Sequence, residues 1–360
     1  MSVMVSVPTA LEGNTGMMLA IIEKQDEEYG CHTDNSVQFI ILMLLKTGMD
    51  AGVLYLCCRK LYTNFLSMSN LSIFLADVIM LFSMAVVLSL KAEYSHFSLC
   101  FILAFFSATY AALPLPTMCL LLLDYCLEDT CSGKQSALGK CLRNLTMTLL
   151  LWTVVVIYSI GSVTPELMEL EYNTGSKAVV CEIYESRAVN YFTVGLFSAL
   201  ILALLPCWQM IPQWISEANR ISEARDKIQE KQQSDRILTS AETKSFVADP
   251  TIPQPPLWLS LTLGFAVFWI PYLTVSVACQ LFGFGVPPYI TVNLLWVQCT
   301  NSVIVGVMFW IQSKTLGPYN RLPEDVCSWH VYWHLSKGTH VQKLAVFDPT
   351  KKKGNTHICV

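Results

Sequence analysis

The chain has 360 residues, of which 53% are hydrophobic and 14% charged, and its mean hydropathy is +0.47. That balance excludes a soluble domain of ordinary make-up and makes a bilayer the solvent for much of the chain. The formal net charge of −4 gives no basis for a nucleic-acid partner.

Seven apolar runs are long enough to cross about 30 Å of hydrocarbon as helices. They lie near 37–58, 65–90, 97–127, 145–163, 189–215, 257–282 and 289–311. Polar or turn-rich breaks separate them, including Arg59-Lys60, the stretch around Lys91 and the charged segment after Glu217. The first residues lack the basic region and apolar stretch of a cleavable signal peptide, so the first span is expected to act as its own signal anchor. Basic residues are retained on the cytoplasmic side of a membrane. With the N-terminus outside, eighteen Lys and Arg fall inside and four (Lys24, Lys91, Lys177, Arg187) outside, with Lys46 within the first span. The expected organisation is an extracellular tail over 1–35, an all-α seven-transmembrane bundle over 36–312 and a cytoplasmic tail over 313–360. The segment 217–256 is expected to be the third cytoplasmic loop, starting as a charge-laced extension of the fifth helix.

Particular positions narrow the choice among seven-helix proteins. Cys100 stands at the outer start of the third span and Cys181 in the second outer loop, both in an oxidising compartment. From Cys100, 24 residues of helix rise about 36 Å and reach Asp124-Tyr125-Cys126 at the inner surface. The second span carries Leu75-Ala76-Asp77 and the fourth Trp152; the sixth reads Phe265 to Pro271 with Trp269 two before the proline, and the seventh Asn301-Ser302. In this order and at these depths the residues resemble the motifs of rhodopsin-like (class A) G-protein-coupled receptors. The Asp-Tyr-Cys-Leu ending of the third helix, the Trp-Ile-Pro of the sixth and the Asn-Ser of the seventh are most similar to the orphan G-protein-coupled receptor 160 family.

The resemblance implies a multi-pass plasma-membrane receptor with a Cys100–Cys181 disulfide. Cys31 is a further outer cysteine, with Cys279 as its alternative partner. It also implies activation-switch residues Phe265, Trp269, Pro271, Asp124, Tyr125 and Asn301, with Pro271 kinking the sixth helix; ordinary aromatic core packing is the competing reading of the two rings. Asp50, Asp77 and Asn301 are expected to converge as a buried polar cluster. Two readings of the cluster stay open: a sodium site, or a hydrogen-bonded acid pair sharing a proton, with Lys46 one turn away able to neutralise an acid. Pro114 and Pro116 are expected to distort the third helix. Ser107, Tyr110, Trp269 and Tyr272 are the expected ligand pocket. Ser107 stands where amine receptors carry an acid, which favours a peptide or lipid-like ligand over an amine.

The departures concern signalling. Tyr125 replaces the arginine of the third-helix motif, Val305 the tyrosine of the seventh, and Trp214 takes the place of the fifth-helix tyrosine. A heterotrimeric G protein is the expected partner beside membrane lipids, through atypical contacts. Alternatives from other classes are a non-signalling scaffold of receptor fold and a proton-coupled transporter using Lys46, Asp50 and Asp77, although no internal repeat is evident. An enzyme is not expected, because the six histidines are scattered without a metal or nucleophile constellation. In the tail, Cys327 is a candidate for palmitoylation and Ile358-Cys359-Val360 a candidate PDZ ligand. The sequons at Asn70 and Asn144 fall at inner helix ends and are expected to be unused.

Overall fold

The computed structural model describes residues 17–26, 31–57, 64–90, 99–131, 137–163, 167–171, 177–234, 253–282, 284–316 and 326–337. Within them, seven helices are long and apolar enough to cross a membrane: Ser36–Leu56, Phe65–Ser89, Leu99–Leu127, Leu138–Ser162, Arg187–Cys207, Leu257–Leu281 and Leu294–Gln312. Large apolar side chains such as Ile41, Leu45, Ile79, Phe82, Ile157 and Val275 are exposed on them. Such faces are stable against hydrocarbon, where each helix satisfies its own backbone polar groups. The chain is a multi-pass membrane protein. It divides into two compact units, residues 1–198 with 269–304 and residues 199–268 with 305–360.

In the first unit, helices α1 (Ser36–Cys57), α2 (Phe65–Leu90), α3 (Leu99–Ala112), α4 (Pro114–Cys131) and α5 (Ala137–Ser162) account for the first four spans. The third span is the most buried of the seven, 61% against 22% for the first. It is broken at Leu113 between α3 and α4. Pro114 and Pro116 bring no amide hydrogen, so the ladder is carried across the break by Leu113 N–H to Thr109 O and Thr117 N–H to Leu113 O.

The membrane region is helical, and outside it lies a four-stranded antiparallel sheet of order β2-β1-β4-β3 that the sequence did not announce. Its strands are β1 (Met17–Asp26), β2 (Cys31–Asp34), β3 (Leu167–Glu171) and β4 (Lys177–Tyr184). Ala20 pairs with Cys181, and an irregularity between Ile21 and Glu23 shifts the register. Ala20, Cys181 and Ile183 are fully buried in the core of this unit, and Val180, whose side chain points to the opposite face of β4, is buried as well.

The fifth span also differs from the expected run. Helix α6 (Arg187–Leu204) ends in a 3-10 turn at Leu205–Cys207 that contains Pro206, and α7 (Ile211–Ser234) begins after it. The sixth span is α8 (Leu257–Leu281), with Pro271 inside it. The seventh is split into a short α9 (Pro288–Thr291) and α10 (Leu294–Leu316).

In the second unit, a tail helix α11 (Trp329–Lys337) packs against α7 and the adjoining parts of α8 and α10. The Ser260 hydroxyl donates to the Tyr332 carbonyl. The Tyr332 ring lies where a side chain at Gly264 would be, 2.5 Å from an added Cβ, and the Trp329 ring stands 2.8 Å from one at Gly306. Glycine is required at both places for the helix to approach. Phe309 meets the His330 ring edge-on at 5.7 Å.

Candidate functional site

The buried charges gather in the first unit around Asp77 of α2. Its Oδ1 accepts a hydrogen bond from the ammonium of Lys46 on α1 and another, at 2.5 Å, from the hydroxyl of Tyr110 on α3. The same ammonium lies 4.4 Å from the centre of the Tyr110 ring, close enough for a cation–π attraction. All three side chains are essentially closed to solvent. A buried ion pair stabilises only when further hydrogen bonds accompany it, and Tyr110 supplies one.

Asp50, one turn after Lys46, is fully buried and within electrostatic reach of both Lys46 and Asp77. Its Oδ1 accepts the backbone N–H of Leu294 at 3.1 Å. Leu294 is the first residue of α10, and the side chain of Asn293 caps the same end by accepting the Trp296 N–H at 2.9 Å. The start of a helix carries roughly half a positive charge and unpaired amides. The break before Leu294 thus lets a helix end answer a buried acid. Asn301 lies two turns further along α10, half-buried, with no hydrogen bond to either carboxylate among the described residues.

Two carboxylates, one ammonium and one helix terminus therefore form a constellation that is nearly balanced in charge. Asp77 Oδ1 takes the ammonium and the phenol, Pro114 offers no hydroxyl, and the second oxygens of Asp50 and Asp77 are buried without a hydrogen-bond partner among the described residues.

On the side bearing the sheet, Cys100 of α3 is bonded to Cys181 of β4, with 5.5 Å between their Cα atoms. The Ser107 hydroxyl donates to the Tyr184 carbonyl at 3.0 Å, and the Tyr184 hydroxyl to the Ser162 carbonyl at 2.9 Å. Strand β4 is thus tied to α3 and α5 through its second half, at Cys181 and Tyr184. Trp269 is buried and meets Tyr272 edge-on at 6.0 Å. Trp296 is likewise buried, with its ring against Phe192 at 6.2 Å. Cys279, weighed above as a partner for Cys31, is a free thiol.

At the far end of the third span, Asp124 Oδ1 receives Arg143 Nη2 of α5 at 2.6 Å. Its Oδ2 accepts the Phe65 N–H at 3.4 Å, and Arg143 also donates to Asn144 Oδ1 at 3.3 Å. An arginine from the fourth span thereby holds the acid of the Asp-Tyr-Cys sequence, while Tyr125 is half-buried. The sequence placed Arg143 only among inner-side basic residues, because local spacing does not show pairing between helices. Asn70 and Asn144 are completely buried.

In the second unit Phe265 is buried, and the Trp214 indole donates to the Pro253 carbonyl at 2.9 Å, joining α7 to the chain entering α8. Cys327 is buried just before α11. The terminal Ile358-Cys359-Val360 lies outside the described residues.

Comparison with known proteins follows the same direction as the geometry. The chain is 20% identical over 289 residues to Probable G-protein coupled receptor 160 of Homo sapiens, covering 78% of this chain and 82% of that protein. The Rattus norvegicus protein of that name gives 20% over 289 residues, 79% of this chain and 82% of its own. The Mus musculus protein gives 22% over 280 residues, 77% of each. No family model and no solved structure matches the chain. The chain is related to these receptors and shares the seven-helix organisation of the G-protein-coupled receptor class.

Proposed function

We propose that the chain is a plasma-membrane receptor, N-terminus outside, that carries an extracellular ligand signal to a cytoplasmic G protein through unusual inner-face contacts. The observation that carries this reading is the relation to the G-protein-coupled receptor 160 proteins along most of the chain, beside seven membrane-capable helices. The asymmetry of Lys and Arg supports the orientation. The ligand is peptide or lipid-like: Ser107 offers no charge to an amine, and its hydroxyl is taken by the Tyr184 carbonyl.

Of the two readings of the buried acids, the internal one is proposed over a sodium site, on the contact of the Lys46 ammonium with Asp77. The ammonium of Lys46 stands in for a mobile cation, as a side chain that cannot diffuse away. The inner contacts differ in the same spirit, Arg143 holding Asp124 from another helix.

Nucleotide exchange on a panel of purified G proteins, driven by the reconstituted chain and by a Tyr125→Arg variant, tests the reading. Exchange by the native chain is the expected result. Exchange by the variant alone means a competent fold with a different natural partner. Silence from both, with ligand libraries applied, favours a scaffold of receptor fold, a reading to which the Tyr125, Val305 and Trp214 replacements lend weight.

A further inference from the structure

Helix α11 is short, and its burial is not that of a helix lying on a surface. An amphipathic helix at an interface leaves one face open. Here Trp329, Val331, Tyr332, His334 and Leu335 are buried, His330, Trp333 and Ser336 are half-buried, and only Lys337 is exposed. The helix is inserted. Its walls are α7, the residues of α8 near Ser260 and Gly264, and the residues of α10 near Gly306 and Phe309.

Two aromatic anchors three residues apart, Trp329 and Tyr332, each rest on a glycine of a different helix. Small residues let a partner helix approach closely, and aromatic anchors in fitted seats dominate helix-in-groove binding. The entry to α11 is left-handed at Ser328, with φ 50, a conformation that side-chain-bearing residues adopt at some cost. The seat is therefore shaped for a helix, and the backbone entering it is under strain.

We propose that the groove formed by α7, α8 and α10 is a helix-docking site whose resident is the chain's own α11. An amphipathic helix of a cytoplasmic partner, with two aromatic residues three apart on its apolar face, takes the groove only when α11 leaves. This rests on the receptor reading for the side of the membrane and for the partner, while the docking itself does not depend on it.

The test uses the full chain in lipid nanodiscs and a fluorescent synthetic peptide with the sequence of residues 326–337. The Trp329→Ala/Tyr332→Ala chain, whose resident is weakened but whose groove is intact, binds the peptide on the order of ten-fold or more tightly than the native chain does. Adding Gly264→Leu, which fills the Tyr332 seat, abolishes that gain. Equal binding to the native and weakened chains, or binding that survives Gly264→Leu, overturns the proposal. A second measurement guards against misfolding of those variants: maleimide labelling of the native chain, read site by site by mass spectrometry. Cys327 is buried beside the helix and Cys126 is exposed. Cys327 labels slowly relative to Cys126, and Gly306→Leu speeds it on the order of ten-fold; rapid labelling in the native chain overturns the proposal. Neither measurement involves a G protein, so failed nucleotide exchange with intact peptide docking removes the receptor reading alone.

Discussion

The carboxylate of Asp124 and the guanidinium of Arg143 meet at 2.6 Å, joining the C-terminal end of the third span to the start of the fourth. Both side chains are largely buried, so removing either leaves the other poorly solvated. Arg143→Ala and Asp124→Ala should each cost about 1.5–3 kcal/mol, the range for a hydrogen bond to a charged group. The double variant should cost little more than the worse single one. Thermal unfolding in detergent reads all three, and additive losses would show that the contact contributes nothing.

Lys46 makes a sharper case. Lys46→Met strips Asp77 of its ammonium and should destabilise by about 3–5 kcal/mol, as breaking a buried pair does. Replacing sodium by choline should leave the melting temperature of the native chain unchanged. The Lys46→Met chain, with the cation position vacated, should gain stability from sodium. Sodium stabilisation of the native chain itself would contradict the internal-cation reading.

Asp50 acts through an acceptor oxygen at the start of α10, so its shape matters more than its charge. Asp50→Asn should be mild, whereas Asp50→Leu uncaps the helix and should cost about 0.5–2 kcal/mol. Hydrogen exchange at the Leu294 amide distinguishes them: faster exchange in the leucine variant only is the expected pattern.

His334 gives the docked tail helix a pH dependence. Burial, with His330 on the same helix and Arg225 on α7, lowers its pKa from 6.5 to about 4. A released helix binds a proton below 6.5, and a docked one does so only near 4. Docking is therefore strongest above pH 6.5 and weakens as pH falls toward 4. In a ¹³C-histidine NMR titration the His334 signal should move near pH 4 in the native chain and return toward 6.5 in Gly264→Leu.

Much of this was legible in the sequence for a plain reason: a span must be apolar over its whole length, so no tertiary information is needed to find it. The start of α5 was misplaced because Ala137 to Asn144 carries Lys140 and Arg143, which read as loop until Arg143 finds Asp124. The sheet was hidden because β1 lacks strict alternation and its partner strand lies beyond four spans. The sequence groups Asp50, Asp77 and Asn301, with Lys46 one turn from Asp50; in the structure Lys46 pairs with Asp77, while Asn301 makes no hydrogen bond to either carboxylate among the described residues. Tyr110 was assigned to a ligand pocket instead, since nothing local tells a phenol which acid it will meet. Gly264 and Gly306 sit in apolar runs where a glycine carries no message until the ring that needs its space is known.

The pairing of Ala20 with Cys181 has a consequence for the order of events during biosynthesis. At about 5–20 residues per second, strand β1 waits on the order of ten seconds for β4 to be made. During that interval four spans enter the membrane while the first strand and Cys100 stand without their partners. The nascent chain thus passes through a stage at which Cys100 is open to thiol reagents and to oxidoreductases. The closing of the sheet and its disulfide would mark, on a ribosome stalled at successive lengths, the moment when the fourth span has been threaded.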